Sequence, residues 1–284
     1  MKTRSFQQVD VFTATPYLGN PVAVVLDGTG LDDAQMQAFA RWTNLSETTF
    51  VLPPTDMQAD YHLRIFTPGG ELMFAGHPTL GSCHAWLQAG GSPSDRETVV
   101  QQCGVGLVTI RREQDMLAFG APALRRTDAD ASLLASVAGA LGIRAGQILA
   151  AQLLDNGTAW LGLLLDSPES VLQLAPDFAA LTRLGHKVGV AGVYPQAQAG
   201  GDAPGLEVRG FAPHLGVNED PVTGSLNASL AQWLIADGHM PQRYLAAQGA
   251  CLRRAGRVSV QRDAAGQVWV GGRTVTCIAG TVTL

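Results

Sequence analysis

The chain has 284 residues, 46% of them hydrophobic and only 15% charged, with a net charge of −5. That length exceeds one comfortable hydrophobic core and predicts two domains, and the low charge content describes a well-buried globular chain rather than a disordered one. The acidic balance and the absence of a Lys/Arg stripe argue against a nucleic-acid partner, and no run reaches the roughly 18 apolar residues of a membrane span.

In chain order, the opening residues Met1-Lys2-Thr3-Arg4-Ser5-Phe6 carry no apolar stretch behind their charges, so no secretory signal is expected. A strand is predicted over 6–12, a turn over 16–21 and a buried strand over 22–26. Asp32 or Asp33 caps a helix ending near Asn44, with Met36, Phe39 and Ala40 on one face. Strands follow over 48–52 and 62–66, then a helix of small residues over 78–88 without a charged face, read as buried. Further strands are predicted over 98–102, 106–111 and 116–119, and residues 120–130 form the expected link between domains.

The second half starts with a helix over 132–141, strands over 147–153 and 159–165, and a helix over 177–184 closed by Gly185. Residues 196–204, rich in Ala, Gly and Gln, read as a mobile loop. A helix over 225–235 and strands over 257–261, 267–270 and 274–284 complete the chain. Strands outnumber helices without a strand–helix–strand rhythm, which predicts an α+β fold with largely antiparallel sheet.

One pattern occurs twice. Arg64-Ile65-Phe66-Thr67-Pro68 is followed by Gly76-His77-Pro78-Thr79-Leu80-Gly81-Ser82, and Arg209-Gly210-Phe211-Ala212-Pro213 by Glu219-Asp220-Pro221-Val222-Thr223-Gly224-Ser225. The shared skeleton is R-x-F-x-P and then His or Asp before P-x-x-G-S. It implies two homologous halves, 1–122 and 123–284, with the C-terminal strand a candidate to complete the first and an active site in the cleft between them. Each proline is expected in the first turn of a helix whose unpaired N–H groups favour an anion, most simply a carboxylate, with Ser82 and Ser225 as added hydroxyl donors. The alternative is that Gly-Ser only allows tight helix packing.

His77 and Asp220 occupy matching places in the two motifs and read either as helix caps or as groups that orient a substrate. Glu47, in Asn44-Leu45-Ser46-Glu47-Thr48-Thr49-Phe50, reads either as an exposed turn glutamate or as a partly desolvated carboxyl able to take and return a proton near neutral pH. The remaining histidines form no metal pair. Gly189-Val190-Ala191-Gly192 fails the P-loop and dinucleotide patterns, so neither cofactor nor metal is expected. Cys83, Cys103, Cys251 and Cys277 form no C-x-x-C pair, which predicts reduced, mostly buried thiols in a cytoplasmic protein.

These stretches, with Gly19-Asn20-Pro21-Val22-Ala23-Val24 and Gln248-Gly249, resemble the PhzF family of phenazine biosynthesis in order and over nearly the whole length. The resemblance implies the diaminopimelate epimerase-like fold, two pseudo-symmetric domains that each wrap a β-barrel-like sheet around a central helix. It implies a homodimeric isomerase without cofactor or metal, similar to the enzyme that moves a proton within trans-2,3-dihydro-3-hydroxyanthranilate. Glu47 aligns with the glutamate that takes a proton from C3 and delivers it to C1, while His77 and Asp220 match polar residues of that site. Gly76, Gly224 and Ser225 match substrate-binding positions, and Asn20 and Ser82 join that expected set. Relatives with a two-cysteine mechanism carry thiols where Gly76 and Asp220 stand here, and Asn227 replaces a histidine that many relatives have. An epimerase or racemase using Glu47 and Asp220 as opposed bases, and a binding protein without chemistry, are the alternatives.

Overall fold

A computed structural model describes residues 1–195 and 203–284, so most of the loop expected over 196–204 lies outside the described residues. The chain forms a mixed, sheet-rich α/β structure with few helices, divided into two compact units: Met1–Gly120 with Gly271–Leu284, and Ala121–Val270. Among the described residues no helix is long and apolar enough to cross a membrane.

The first unit opens with β1 (Thr3–Val11) and β2 (Asn20–Val25), an antiparallel pair, and β1 also pairs antiparallel with the chain's final strand, Thr274–Thr283. Helix α1 (Asp33–Thr43) begins with a capping box, Asp32 accepting from the Gln35 N–H and Gln35 from Asp32, and turns off at Asn44 in the left-handed conformation. Its Met36, Phe39 and Ala40 pack with Val25, Phe50 and Phe66, as the spacing predicted. Strand β3 (Glu47–Leu52) lies parallel to β2, and β4 (Tyr61–Thr67) antiparallel to β3, with the short β5 (Gly70–Leu72) folded back on β4.

Helix α2 (Gly76–Gln88) is buried almost throughout its first ten residues and contacts β1, β2, β3 and β4. Gly81 permits this depth: a Cβ there would lie 2.4 Å from Val22 Cγ1. Two of the hydroxyls this helix buries are hydrogen-bonded, Thr79 accepting from Gln101 and Ser82 bonding Thr49 at 2.8 Å. Strands β6 (Thr98–Cys103), β7 (Gly106–Glu113) and β8 (Met116–Gly120) follow as an antiparallel meander.

In the second unit, β9 (Arg125–Thr127) pairs with β10 (Ile148–Asp155), which continues into β11 (Ala159–Leu165). Helix α3 (Ala131–Leu141), α4 (Pro168–Leu172) and α5 (Phe178–Leu184) bury Val137, Leu141, Val171 and Leu181 against Leu161, Leu163, Val188 and Phe211. Strand β12 (Val188–Val193) runs parallel to β11 and antiparallel to β13 (Leu206–Ala212). The chain then forms β14 (Val217–Asp220), helix α6 (Gly224–Ala236), β15 (Arg243–Gln248) and β16 (Gly256–Arg262). It passes back to the first unit within β17 (Val268–Gly272). Parallel pairing also joins β13 to β15.

Strands β5, β9, β12, β13, β14 and β15 and helix α4 are absent from the sequence reading. In β13 both faces are buried, so Arg209 and Glu207 sit in an apolar strand and hide its alternation. The same side-chain arrangement stands behind R-x-F in both units: Arg64 and Arg209 lie 5.1 Å from the Phe66 and Phe211 ring centres, and each clamps a glutamate, Glu71 or Glu219, through two N–H groups.

The Arg209–Glu219 pair has both side chains 5% exposed, and Arg209 also donates to the Val171 and Leu174 carbonyls. Arg209→Met therefore strands a buried carboxylate and is expected to cost about 3–5 kcal/mol in denaturant unfolding, part of which Arg209→Met/Glu219→Leu recovers. Burial holds His84 below the usual histidine range, and its ring nitrogens face the Thr274 and Thr276 hydroxyls at 2.8 and 3.0 Å. The unfolded chain thus binds this proton more readily. The stability His84 contributes is complete above the ordinary histidine pKa and is lost as pH falls through it toward the lowered folded value. Melting temperatures at about pH 7.5 and 5.5 should fall in that order, with a smaller difference in His84→Gln.

Candidate active site

In the first unit three elements meet at the start of α2. Asn44 in the left-handed conformation (φ 53°) ends α1, and the turn it makes brings Glu47 in as the first residue of β3, in register with Val22 of β2. Gly19 lets the preceding turn close: a Cβ there would sit 2.2 Å from the Val11 carbonyl oxygen, and its N–H bonds the buried Asp10. Asn20 follows at the start of β2, fully buried. His77 is the second residue of α2.

The result is a short chain of polar side chains inside an apolar sheet. Glu47 Oε2 and His77 Nε2 are 3.2 Å apart, with 15% and 6% of their side chains exposed. Asn20 Nδ2 lies 3.4 Å from His77 Nδ1, and the Ser46 hydroxyl reaches Asn20 Oδ1 at 3.5 Å. With the Asn20 amide nitrogen as donor, Nδ1 is the acceptor and the imidazole hydrogen sits on Nε2, whose 3.2 Å approach to Glu47 Oε2 is a close polar contact without hydrogen-bond geometry. Glu47 is thus a half-enclosed, oriented carboxyl rather than an exposed turn residue.

Helix α2 starts at Gly76 behind Ala75, with no side-chain cap on its N–H groups. Helix α6 starts at Gly224 behind Thr223, likewise uncapped by a side chain. The first-turn amides of both helices are therefore not satisfied by capping side chains, and the positive end of each dipole faces outward from the helix.

In the second unit the residues around the start of α6 form a connected hydrogen-bond network centred on Gln248. The Gln248 side chain, 1% exposed, uses its full capacity. Its Oε1 accepts from the Thr223 N–H and Asn227 Nδ2 at 3.0 and 2.9 Å, and its Nε2 donates to the Asp220 carbonyl and Thr223 Oγ1 at 3.0 and 2.9 Å. The Thr223 hydroxyl hydrogen is then committed to Asp220 Oδ2, 2.7 Å away. Asp220 is held from one side as an acceptor.

Three expectations are corrected by this geometry. His77 and Asp220 do not occupy matching structural places: His77 lies within its helix, whereas Asp220 ends β14, ahead of α6. Pro78 is the third residue of α2, but Pro221 precedes α6, so helix starts correspond at Gly76 and Gly224 and not along the P-x-x-G-S alignment. Ser82, fully buried on Thr49, belongs to the packing of α2 and offers no hydroxyl to a ligand. Ser225 is half-buried; its hydroxyl oxygen accepts from Trp160 Nε1 at 3.3 Å.

Thr223 and Gln248 carry no role in the sequence reading. The available signal is a glutamine closing the apolar run Tyr244-Leu245-Ala246-Ala247, where a buried amide requires partners. Asn227 is also fully buried, donating to the Thr223 carbonyl and to Gln248. Burial pushes the Cys83 thiol up to about 12, which leaves it protonated at neutral pH. Cys103 is buried, Cys277 partly so, and Cys251 is exposed, so burial of the thiols is only partial. Among the described residues no three His, Cys, Asp or Glu side chains gather to hold a metal ion.

Comparison with known proteins gives consistent matches over the whole length. A family model of phenazine biosynthesis-like proteins, PhzC-PhzF, matches residues 9–280. The Schizosaccharomyces pombe protein named Antisense-enhancing sequence 1 is 38% identical, over 99% of each chain. An uncharacterized isomerase of Pseudomonas aeruginosa is 32% identical over 98% of each chain. A Bacillus anthracis phenazine biosynthesis protein of the PhzF family superimposes with a TM-score of 0.85 at 22% identity, covering all of both chains.

Thr223→Val removes both the acceptor for Gln248 and the donor for Asp220 and should lower stability by about 1–3 kcal/mol in denaturant unfolding, with Thr223→Ser close to the parent.

Proposed function

This chain belongs to the PhzC-PhzF family of phenazine biosynthesis-like proteins and is an isomerase, and from that premise we propose that it moves a proton on a small carboxylate-bearing substrate through Glu47, without cofactor or metal. The observation that carries this reading is the Glu47–His77 contact at 3.2 Å beside the uncapped start of α2.

In the proposed cycle the Glu47 carboxylate takes a proton from an acidic C–H, the electron pair spreads into the adjacent unsaturated system, and the same carboxyl returns the proton to another carbon. Atoms and charge balance within the substrate, and the enzyme is unchanged. The His77 ring, oriented through Asn20, lies against the carboxylate at 3.2 Å. The first-turn amides of the helix starts, which no side chain caps, are suited to a substrate carboxylate and to the enolate-like charge that develops as the proton leaves. A dihydro-hydroxyanthranilate such as trans-2,3-dihydro-3-hydroxyanthranilate is the proposed substrate type.

Gly76 and Asn20 in the first unit, and Asp220, Gly224 and Ser225 in the second, enter this proposal as substrate-binding residues by resemblance to the family. The hydrogen bond from Thr223 to Asp220 supports an orienting role for that carboxylate over a second base. The finer fold that accompanies the reading has pseudo-symmetric halves, each sheet curling around its own helix. Its support is the burial of α2 and α6 and the repeated Arg–Phe–Glu arrangement. A cytoplasmic homodimer completes the proposal.

Turnover of trans-2,3-dihydro-3-hydroxyanthranilate in D₂O tests it. Glu47→Gln should lower kcat by on the order of 10²–10⁴-fold with a small change in KM, and single turnovers of the parent should show how far deuterium enters the product. Near-normal turnover by Glu47→Gln removes the shuttle assignment. Equal losses in Glu47→Gln and Asp220→Asn, with deuterium at an inverted centre, favour two opposed bases instead.

A further inference from the structure

A second cavity, of about 210 Å³, lies wholly within the second unit. Its walls include Leu172, Tyr194, Glu207, Gln248, Arg254 and Arg257. Taking about 30 Å³ as the share of one water, it has room for about seven waters or a small molecule of similar size. None of its ionisable residues has a part in the proton transfer proposed above.

Glu207 is the feature that needs explaining. It is 3% exposed, on the all-buried strand β13. The Tyr194 hydroxyl donates to its Oε2 at 2.9 Å, while Oε1, also buried, has no hydrogen-bond partner among the described residues. Burial pushes this carboxyl above its ordinary value, against the opposing pull of the Tyr194 hydrogen bond and of Arg257 and Arg209. A buried carboxylate oxygen left without a donor is costly, and groups of this kind in native proteins call for a specific partner.

Across the same cavity Arg257 is exposed, and one of its amino groups, Nη1, donates to its own Gly256 carbonyl. A guanidinium carries five N–H donors, so an anionic group in the cavity finds further donors there. Leu172, Ala247 and Ala250 supply an apolar wall between the two charges.

We propose that this cavity binds a small zwitterion, with its ammonium group on Glu207 and its carboxylate on Arg257. An anionic ligand leaves Glu207 Oε1 without a donor, and a cationic one makes no use of the remaining Arg257 donors. Glycine and β-alanine are the smallest members of that class and fit the volume. No covalent step is involved. The site is separate in its residues from Glu47 and His77 and does not depend on the proton-transfer reading.

Calorimetric titration of the full chain with glycine and β-alanine, and with methylammonium and acetate as half-ligands, tests the proposal. At least one zwitterion should bind about tenfold more tightly than either half-ligand, the size of one charge-assisted hydrogen bond. Glu207→Gln, which keeps the shape and the Tyr194 contact, and Arg257→Gln at the exposed position should each weaken that binding by at least about tenfold, with melting curves confirming that both variants fold. Glu47→Gln should leave it unchanged. Absence of zwitterion binding, binding no tighter than that of the half-ligands, or binding that survives both substitutions overturns the proposal. Loss of binding in Glu47→Gln also overturns it, by placing the ligand at the other site.

Discussion

A carboxylate at the first residue of a strand and an imidazole at the second residue of a buried helix, 3.2 Å apart, form the contact on which the chemistry proposed for the first unit rests. Bringing two ionisable groups into a sheet interior costs desolvation free energy, which close geometry and further hydrogen bonds must offset. The surrounding residues meet that requirement locally. Left-handed Asn44 aims β3, Gly19 allows the turn before Asn20 to press against Val11, and Gly81 lets α2 sink against Val22. Replacing any one of these by a bulkier side chain would shift a backbone that carries a polar group of the site.

At the start of α6 the second unit answers buried polarity with neutral groups. Gln248 satisfies the Thr223 amide, the Asn227 amide and the Asp220 carbonyl at once, so a single side chain holds the end of β14 against the start of α6. A neutral amide with all four of its hydrogen-bonding places used avoids the desolvation cost of a charge. The arrangement leaves Asp220 half-buried and oriented, which suits a ligand-facing acceptor.

The repeated R-x-F element shows how burial sets the energetic weight of one local motif. Arg64 is 21% exposed, its partners Asp33 and Glu71 83% and 40%, and exposed pairs of that kind contribute about 0–1 kcal/mol. The Arg209–Glu219 pair is almost wholly buried and is tied as well to two carbonyls, so its disruption carries several times that cost. The isomerase family to which the chain belongs thus rests here on two units stabilised differently around the same sequence element. Among its thiols, Cys83, although it lies on α2, is protonated and enclosed at neutral pH.

Local patterns were legible in the sequence because local forces set them. The cap at Asp32, the stop at Asn44, the apolar face of α1, the buried small-residue helix α2 and the αL end at Gly185 all follow from side-chain chemistry within a few residues. Glu47, His77 and Asp220 were legible as candidates from their motifs. Strands β12 and β13 were not, because burial on both faces removes the alternation by which a strand is read, and a charged residue such as Arg209 or Glu207 in such a strand resembles surface, while β14 is four residues long and buries none of them.

By itself, then, the amino-acid order determined the family, the sheet-rich class and the candidates for chemistry-bearing residues, since these reside in composition, spacing and repeated motifs. Only the tertiary structure decided that Ser82 serves packing, that His77 and Asp220 stand at unlike places relative to their helices, and that Thr223 and Gln248 hold Asp220. Those outcomes depend on which strand lies beside which helix, as Gln248 of β15 reaches the start of α6 and Asn20 of β2 reaches His77 of α2. Partners of this kind lie 25 and 57 residues apart along the chain, a separation that no local pattern encodes.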